Sequence, residues 1–255
     1  MNRALIFDLD NTLIECGQHY LDAQNEFVRR TSSRTCLEPE LVSSVLEHID
    51  VQCSSLPDGF SRYRFPRSFR AAALALDAIS GRLEIANPEV LKNSLEFAND
   101  MFAVGDAVFS AEYPLYPKVH ETLSHYKNGG WRMILVTKGD FDVQMWKLRK
   151  HNLEQYFDGL HVTLRKNVEF FRKLTEDYNL SPSESWIIGD SLRDDIGPGK
   201  EVGFNTVEVR TATGRWGYEV ESHLATTWVQ GVSELPKFIR KSPNDNKLTK
   251  KYAST

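Results

Sequence analysis

From Pro117 to Val209 the sequence switches back and forth between two periodicities, and this limits the fold more than any other feature. Segments with apolar residues at helical spacing, KVHETLSHYKNGG, FDVQMWKLRKHNL and NVEFFRKLTEDYNL, are interleaved with the short apolar runs WRMILVT, LHVTL and SWIIGDS; a short helical turn then leads to NTVEV. Short apolar strands that alternate with helices predict a parallel sheet covered on both faces, since each strand must be buried twice and each crossover supplies a cover. The run ALIF at residues 4–7 reads as one more strand of the same sheet. The expected fold class is therefore α/β, a doubly wound parallel sheet.

Between about Glu15 and Tyr116 strand character disappears. Leu41, Val42, Val45, Leu46 and Ile49 recur at helical spacing after Glu38-Pro39, and Leu91, Leu95, Ala98 and Phe102 do so after Asn87-Pro88. FRAAALALDAISG supplies another helix, closed by Gly81 at its C-cap. The expected organisation is a core domain of residues 1–14 and 116–240, a helical domain of residues 15–115 inserted after the first strand, and a basic, frayed tail of residues 241–255.

Charge and cysteine usage exclude several classes. From Lys237 onward there are six basic residues against one acidic, so the net charge of −4 conceals a body at −9. An acidic body argues against a broad nucleic-acid surface. Cys16, Cys36 and Cys53 are odd in number and lack CxxC spacing, which indicates neither a disulfide framework nor a zinc site. No apolar stretch approaches membrane-spanning length and no signal-like leader opens the sequence, so a cytoplasmic protein with no membrane partner is expected. Oligomeric state is not indicated.

In an open parallel sheet, ligands bind at the carboxyl ends of the strands, near the point where strand order reverses. The residues that end successive strands here are Asp8 and Asp10, then Thr137 with Lys138 and Gly139, then Arg165 with Lys166, then Asp190 with Asp194 and Asp195. Several carboxylates converging on one crevice repel each other without a cation, and an oxygen-rich site with few protein ligands suits Mg²⁺, with Asp8 and Asp190 as leading ligands. Lys166 and the Thr137 hydroxyl complete a cradle for a dianion, so the cluster reads as a phosphate site. Each residue has a bland alternative. A lone Asp after a strand caps the next helix, Thr137 satisfies a strand end, Lys166 is one more surface lysine, and one of Asp194 and Asp195 serves a helix dipole.

These residues resemble four motifs, in order, of the haloacid dehalogenase-like (HAD) hydrolase superfamily. FDLDNTL is similar to the first, LVTKGD to the second and IIGDSLRDDI to the fourth, while the third is a single basic residue, Lys166 or its neighbour Arg165. The resemblance implies a Rossmann-like core with an inserted helical cap, and a Mg²⁺-dependent phosphohydrolase of small phosphorylated metabolites. It further implies Asp8 as nucleophile, Asp10 as general acid/base, Thr137, Lys138 and Lys166 as phosphate-binding groups, and Asp8, Asp10 and Asp190 as the metal site. The second acid of the fourth motif is Asp194 or Asp195, since the superfamily uses both spacings.

Dehalogenases of the superfamily typically lack an acid at the position of Asp10, and a phosphonatase is expected to carry a Schiff-base lysine in its cap. Residues 15–115 contain only Lys92 as a lysine, on a helix otherwise explained by packing. The remaining alternatives are a phosphomutase and a non-catalytic, phosphate-binding regulatory protein on the same fold. In the cap, SRYRFPRSFR places Arg62, Arg64, Arg67 and Arg70 among aromatics, either to grip a second anionic group or as a solvated basic face.

Overall fold

The computed structural model describes residues 2–56, 61–211 and 224–240. The chain divides into two compact units, one of residues 1–17 with 113–255 and one of residues 18–112. In chain order the elements are β1 (Ala4–Phe7), α1 (Gly17–Thr35), α2 (Pro39–Ser54), α3 (Arg64–Ile79), α4 (Pro88–Ala107), α5 (Val119–Asn128), β2 (Arg132–Lys138), α6 (Phe141–Lys150), β3 (Gly159–Thr163), α7 (Val168–Asp177), β4 (Trp186–Gly189), α8 (Gly197–Val202), β5 (Asn205–Val209) and β6 (Thr227–Val229).

Among the described residues the sheet has six strands in the order β3-β2-β1-β4-β5-β6, all paired in parallel. Strand order reverses between β1 and β4, so the crevice that the topology opens lies past Phe7 and Gly189. All four residues of β1 are buried, as a central strand covered on both faces requires. On one face Phe171 and Leu174 of α7 pack with Ala4, Ile6, Ile134, Val136 and Ile187. Each such side chain contributes about 1.5–3 kcal/mol when fully buried. The edge strand β6 has no counterpart in the sequence reading, which ended at β5; three residues with one of them exposed are too short to show a period.

The second unit is helical. Phe27, Phe65, Phe69, Leu76 and Met101 lie at its centre, with the Phe27 and Phe69 rings 5.0 Å apart in an edge-to-face arrangement. A buried carboxylate, Asp77, is answered by both Nε and an Nη of Arg34 at 2.8 and 2.9 Å. Arg62 pairs with Asp106 at 3.0 Å and Arg64 pairs with Asp50, so two of the four arginines of the 61–70 segment have carboxylates within this unit. The basic tail of residues 241–255 lies outside the described residues.

Candidate active site

The site is built at the ends of the strands. β1 stops at Phe7, and the Asp8 amide donates to the Ile188 carbonyl of β4 at 2.9 Å, which fixes the first acid beside the neighbouring strand. The chain then turns tightly: the amides of Leu13 and Ile14 donate to the Leu9 carbonyl at 2.9 and 3.0 Å. Asn11 takes φ +57°, a region that asparagine tolerates better than most residues. Its side-chain oxygen accepts from the Gly17 amide at 2.8 Å and from the Cys16 amide at 3.3 Å, satisfying donors at the start of α1. Capping therefore falls to Asn11, and both acids of FDLDNTL are left for other work.

At the end of β4 the backbone passes through Asp190 and Ser191 into a π-helical turn, Leu192–Ile196. Such turns are rare and concentrate at functional sites. The Ser191 hydroxyl caps it by accepting from the Asp194 amide at 3.1 Å. The turn sends its two adjacent acids in different directions. Asp195 folds back over Gly189, where any Cβ would collide with its carboxylate, and accepts from the Ser191 amide at 3.2 Å. Asp194 pairs with Lys138.

Lys166, which directly precedes the N-cap Asn167 of α7, is 4% exposed and donates to two carboxylates, Asp8 and, at 2.7 Å, Asp195. Arg165 beside it is exposed. Oxygens of Asp8, Asp190 and Asp195 all lie within 4.8 Å of one another. Three ionised carboxylates against one ammonium would leave the cluster negative. Burial pushes the Asp8 carboxyl up to about 7; Lys166 opposes the rise and Asp195 adds to it. Burial also raises Asp190 and Asp195, with Asp8 adding to the rise at Asp190 and Lys166 opposing it at Asp195. Burial alone would lower Lys166, yet Asp195 and Asp8 outweigh it and hold the ammonium charged. Burial also works against the Asp194 carboxylate, but Lys138 overcomes this and keeps it below its ordinary value.

Thr137, next to last in β2, is 1% exposed, and among the described residues its hydroxyl has no hydrogen-bond partner; the same is true of Thr12. A buried hydroxyl without a partner costs about 1–3 kcal/mol, so both are poor as purely structural features and suited to receive a ligand oxygen. Asp10 is not in the carboxylate cluster. Lys147 Nζ reaches its Oδ1 and Oδ2 at 2.9 and 3.0 Å, and Gln144 Nε2 reaches Oδ2 at 2.8 Å. The Asp10 side chain is thus engaged by Lys147 and Gln144, while Asp195 joins Asp8 and Asp190 in the cluster.

The donor set fits a small hard divalent cation: three carboxylates with surplus negative charge, no sulfur and no imidazole. None of His120, His151 and His161 takes part, since each ring has a tyrosine hydroxyl or a backbone carbonyl within 2.7–3.0 Å.

Residues 2–203 match the family description of a haloacid dehalogenase-like hydrolase. The chain belongs to that family. Among curated relatives, the glyceraldehyde 3-phosphate phosphatase of Pyrococcus furiosus is 23% identical over 214 residues, 80% of this chain and 79% of the relative. Among solved structures, a haloacid dehalogenase-like family hydrolase from Xanthomonas campestris superposes with a TM-score of 0.68 at 18% identity, covering 92% of this chain and 93% of that one. The L-2-haloacid dehalogenase of Xanthobacter autotrophicus gives 0.57 at 17% identity, covering 94% and 99%. The family fold thus carries more than one chemistry, and the residues at the strand ends must choose between them.

Of the residues that the family motifs point to, the structure brings Asp8, Lys166, Asp190 and Asp195 together and pairs Lys138 with Asp194. Two residues in the site escaped the sequence reading, Gln144 and Lys147. They stand three apart on α6, so they share a helix face, and this spacing directly after the second motif was the available signal. Lys147 is 1% exposed, which a polar helix segment with Arg149 and Lys150 close by gives no reason to expect. Among the described residues no helix is long and apolar enough to cross a membrane.

Proposed function

We propose that this chain is a Mg²⁺-dependent phosphatase that cleaves small-molecule phosphate monoesters through an aspartyl-phosphate on Asp8. The observation that carries the reading is the division of labour between the two acids of FDLDNTL. Asp8 lies in an electron-rich cluster that a cation would complete, and Asp10 lies apart from it, held by Lys147 and Gln144.

In the first half-reaction an Asp8 oxygen attacks phosphorus and the ester P–O bond breaks, while Asp10 gives its proton to the departing oxygen. In the second, Asp10 takes a proton from water as that water attacks the phosphoryl group, which releases inorganic phosphate and restores the Asp8 carboxylate. Lys166, already against Asp8, offsets charge on the transferring oxygens, and the Thr137 hydroxyl donates to one of them. Asp8, Asp190 and Asp195 would hold Mg²⁺, which neutralises phosphate charge and orients the group for attack. An acid at position 10 serves ester cleavage and has no task in dehalogenation, which favours the phosphatase within the family. The name of the Pyrococcus relative makes a triose phosphate the first substrate to try.

The test is phosphate release from a panel of phosphorylated metabolites, including glyceraldehyde 3-phosphate, with and without Mg²⁺, for wild type and Asp8→Asn. Magnesium-dependent release that falls by about 10⁴-fold or more in the variant is expected. A folded wild type that binds Mg²⁺ and hydrolyses nothing on the panel would favour a phosphate-binding protein.

A further inference from the structure

We propose that Lys147 and Gln144 are positioning residues for Asp10: they clamp its carboxyl group so that one oxygen, Oδ1, faces the reacting ester and exchanges the proton. The inference rests on the phosphatase reading above and adds two residues and an oxygen assignment to it.

The clamp is built into the fold. Asp140 accepts from the amides of Asp142 and Val143 at 3.1 and 3.3 Å and so starts α6, which presents Gln144 and Lys147 on one face. Gln144 Nε2 is held from two sides, by the Lys138 carbonyl at 3.0 Å and by Asp10 Oδ2 at 2.8 Å. It fits there because residue 139 is glycine: at φ +150°, a Cβ would come within 2.8 Å of that same nitrogen. Lys147 Nζ sits 4.6 Å from the centre of the Tyr113 ring, and its contacts to the two Asp10 oxygens are nearly equal. Both clamping residues are at most 3% exposed, whereas the Asp10 side chain keeps 25%. The acid is the accessible member of a group whose other members are buried.

The two oxygens are not equivalent. Among the described residues, Oδ2 accepts from both Lys147 and Gln144, while Oδ1 accepts from Lys147 alone and retains a lone pair. An ion pair made only to neutralise a buried charge would need no amide on one chosen oxygen, nor a glycine to admit that amide. Fixing the carboxyl plane is what both features achieve, and general acid catalysis depends on such alignment.

The test separates positioning from support of the fold. Proton donation matters to a poor leaving group and hardly to a good one, and kcat/KM reports only the steps through phosphorylation of Asp8. In Lys147→Met, kcat/KM for β-glycerophosphate should fall by about a hundredfold or more, and that for p-nitrophenyl phosphate by less than about tenfold. Gln144→Leu should show the same bias to a smaller degree, and it decides the matter if Lys147→Met does not fold. Asp10→Asn should share the bias, and adding Lys147→Met to it should change kcat/KM for β-glycerophosphate by less than about twofold, because Lys147 acts through Asp10. Equal losses on both esters, or full additivity with Asp10→Asn, would overturn the clamp and leave the phosphatase standing. A wild type inert toward both esters would remove the phosphatase reading and the clamp with it.

Discussion

Two buried lysines, each facing aspartate at a strand end, divide the candidate site into two electrostatic regions. Around Lys166 one ammonium faces Asp8 and Asp195, with Asp190 within reach of both, so the region carries surplus negative charge. Around Lys147 one ammonium faces one carboxyl group with an amide beside it, so the region carries no negative surplus. The difference lies in what each region still requires. The first has proton affinities pushed upward and invites a cation; the second is complete and can specialise in orientation. Asp8 and Asp10 are two residues apart in the chain, yet their surroundings differ in net charge, and that separation lets like groups take unlike roles.

The sharpest way to break this comparison is to remove each lysine in turn without adding metal. Lys166→Met leaves a cluster of buried carboxylates unanswered and should destabilise the protein by about 3–5 kcal/mol, whereas Lys147→Met exposes one partly solvated carboxylate and should cost less than half of that. Denaturant unfolding of the two variants checks the order. Next comes pH. Asp8 binds a proton up to about 7 in the folded protein but only up to 3.8 when unfolded, so between these values the folded state holds more protons and metal-free stability falls as pH rises. The fall should reach up to about 4 kcal/mol, and Asp8→Asn should flatten it. Equal slopes for wild type and Asp8→Asn would show that Asp8 does not bind the extra proton of the folded state.

Mg²⁺ should then stabilise the wild type by about 2.7 kcal/mol at a hundred times its Kd, and Asp190→Asn should lose most of that gain in a thermal shift titration. A gain of the same size in Lys147→Met is expected, since the region around Lys147 takes no part. Thr137→Val removes a buried hydroxyl that has no partner among the described residues, so it should leave stability unchanged or raise it by up to about 1–3 kcal/mol while lowering phosphate release. A large loss of stability would assign Thr137 to the fold rather than to phosphate.

Much of this could be read from the chain, and particular residues show where reading stops. ALIF, WRMILVT, LHVTL, SWIIGDS and NTVEV are short apolar runs separated by helical periods, and each forms a strand of the parallel sheet because burial on both faces leaves its mark on composition. Strand ends carried the functional signal for the same reason: a carboxylate after a buried strand has no packing purpose, so Asp8 and Asp190 stood out. Local sequence determined the elements and the line along which chemistry gathers.

What only the tertiary structure decided concerns neighbours in sequence that face different neighbours in space. Asp194 and Asp195 have equal claims in the motif, and it is the π-helical turn closed by Ser191 that sends the first to Lys138 and the second to Lys166. Arg165 and Lys166 are adjacent bases; only the position just before the Asn167 cap buries one and exposes the other. Lys147 lies 137 residues from Asp10 and is followed on α6 by Arg149 and Lys150, so beyond its spacing from Gln144 nothing local sets it apart from those two bases. The sequence determined which groups reach the edge of the sheet, because burial and periodicity act within a few residues. Which charges meet there depends on side-chain direction and long-range packing, and these exist only once the strands are side by side.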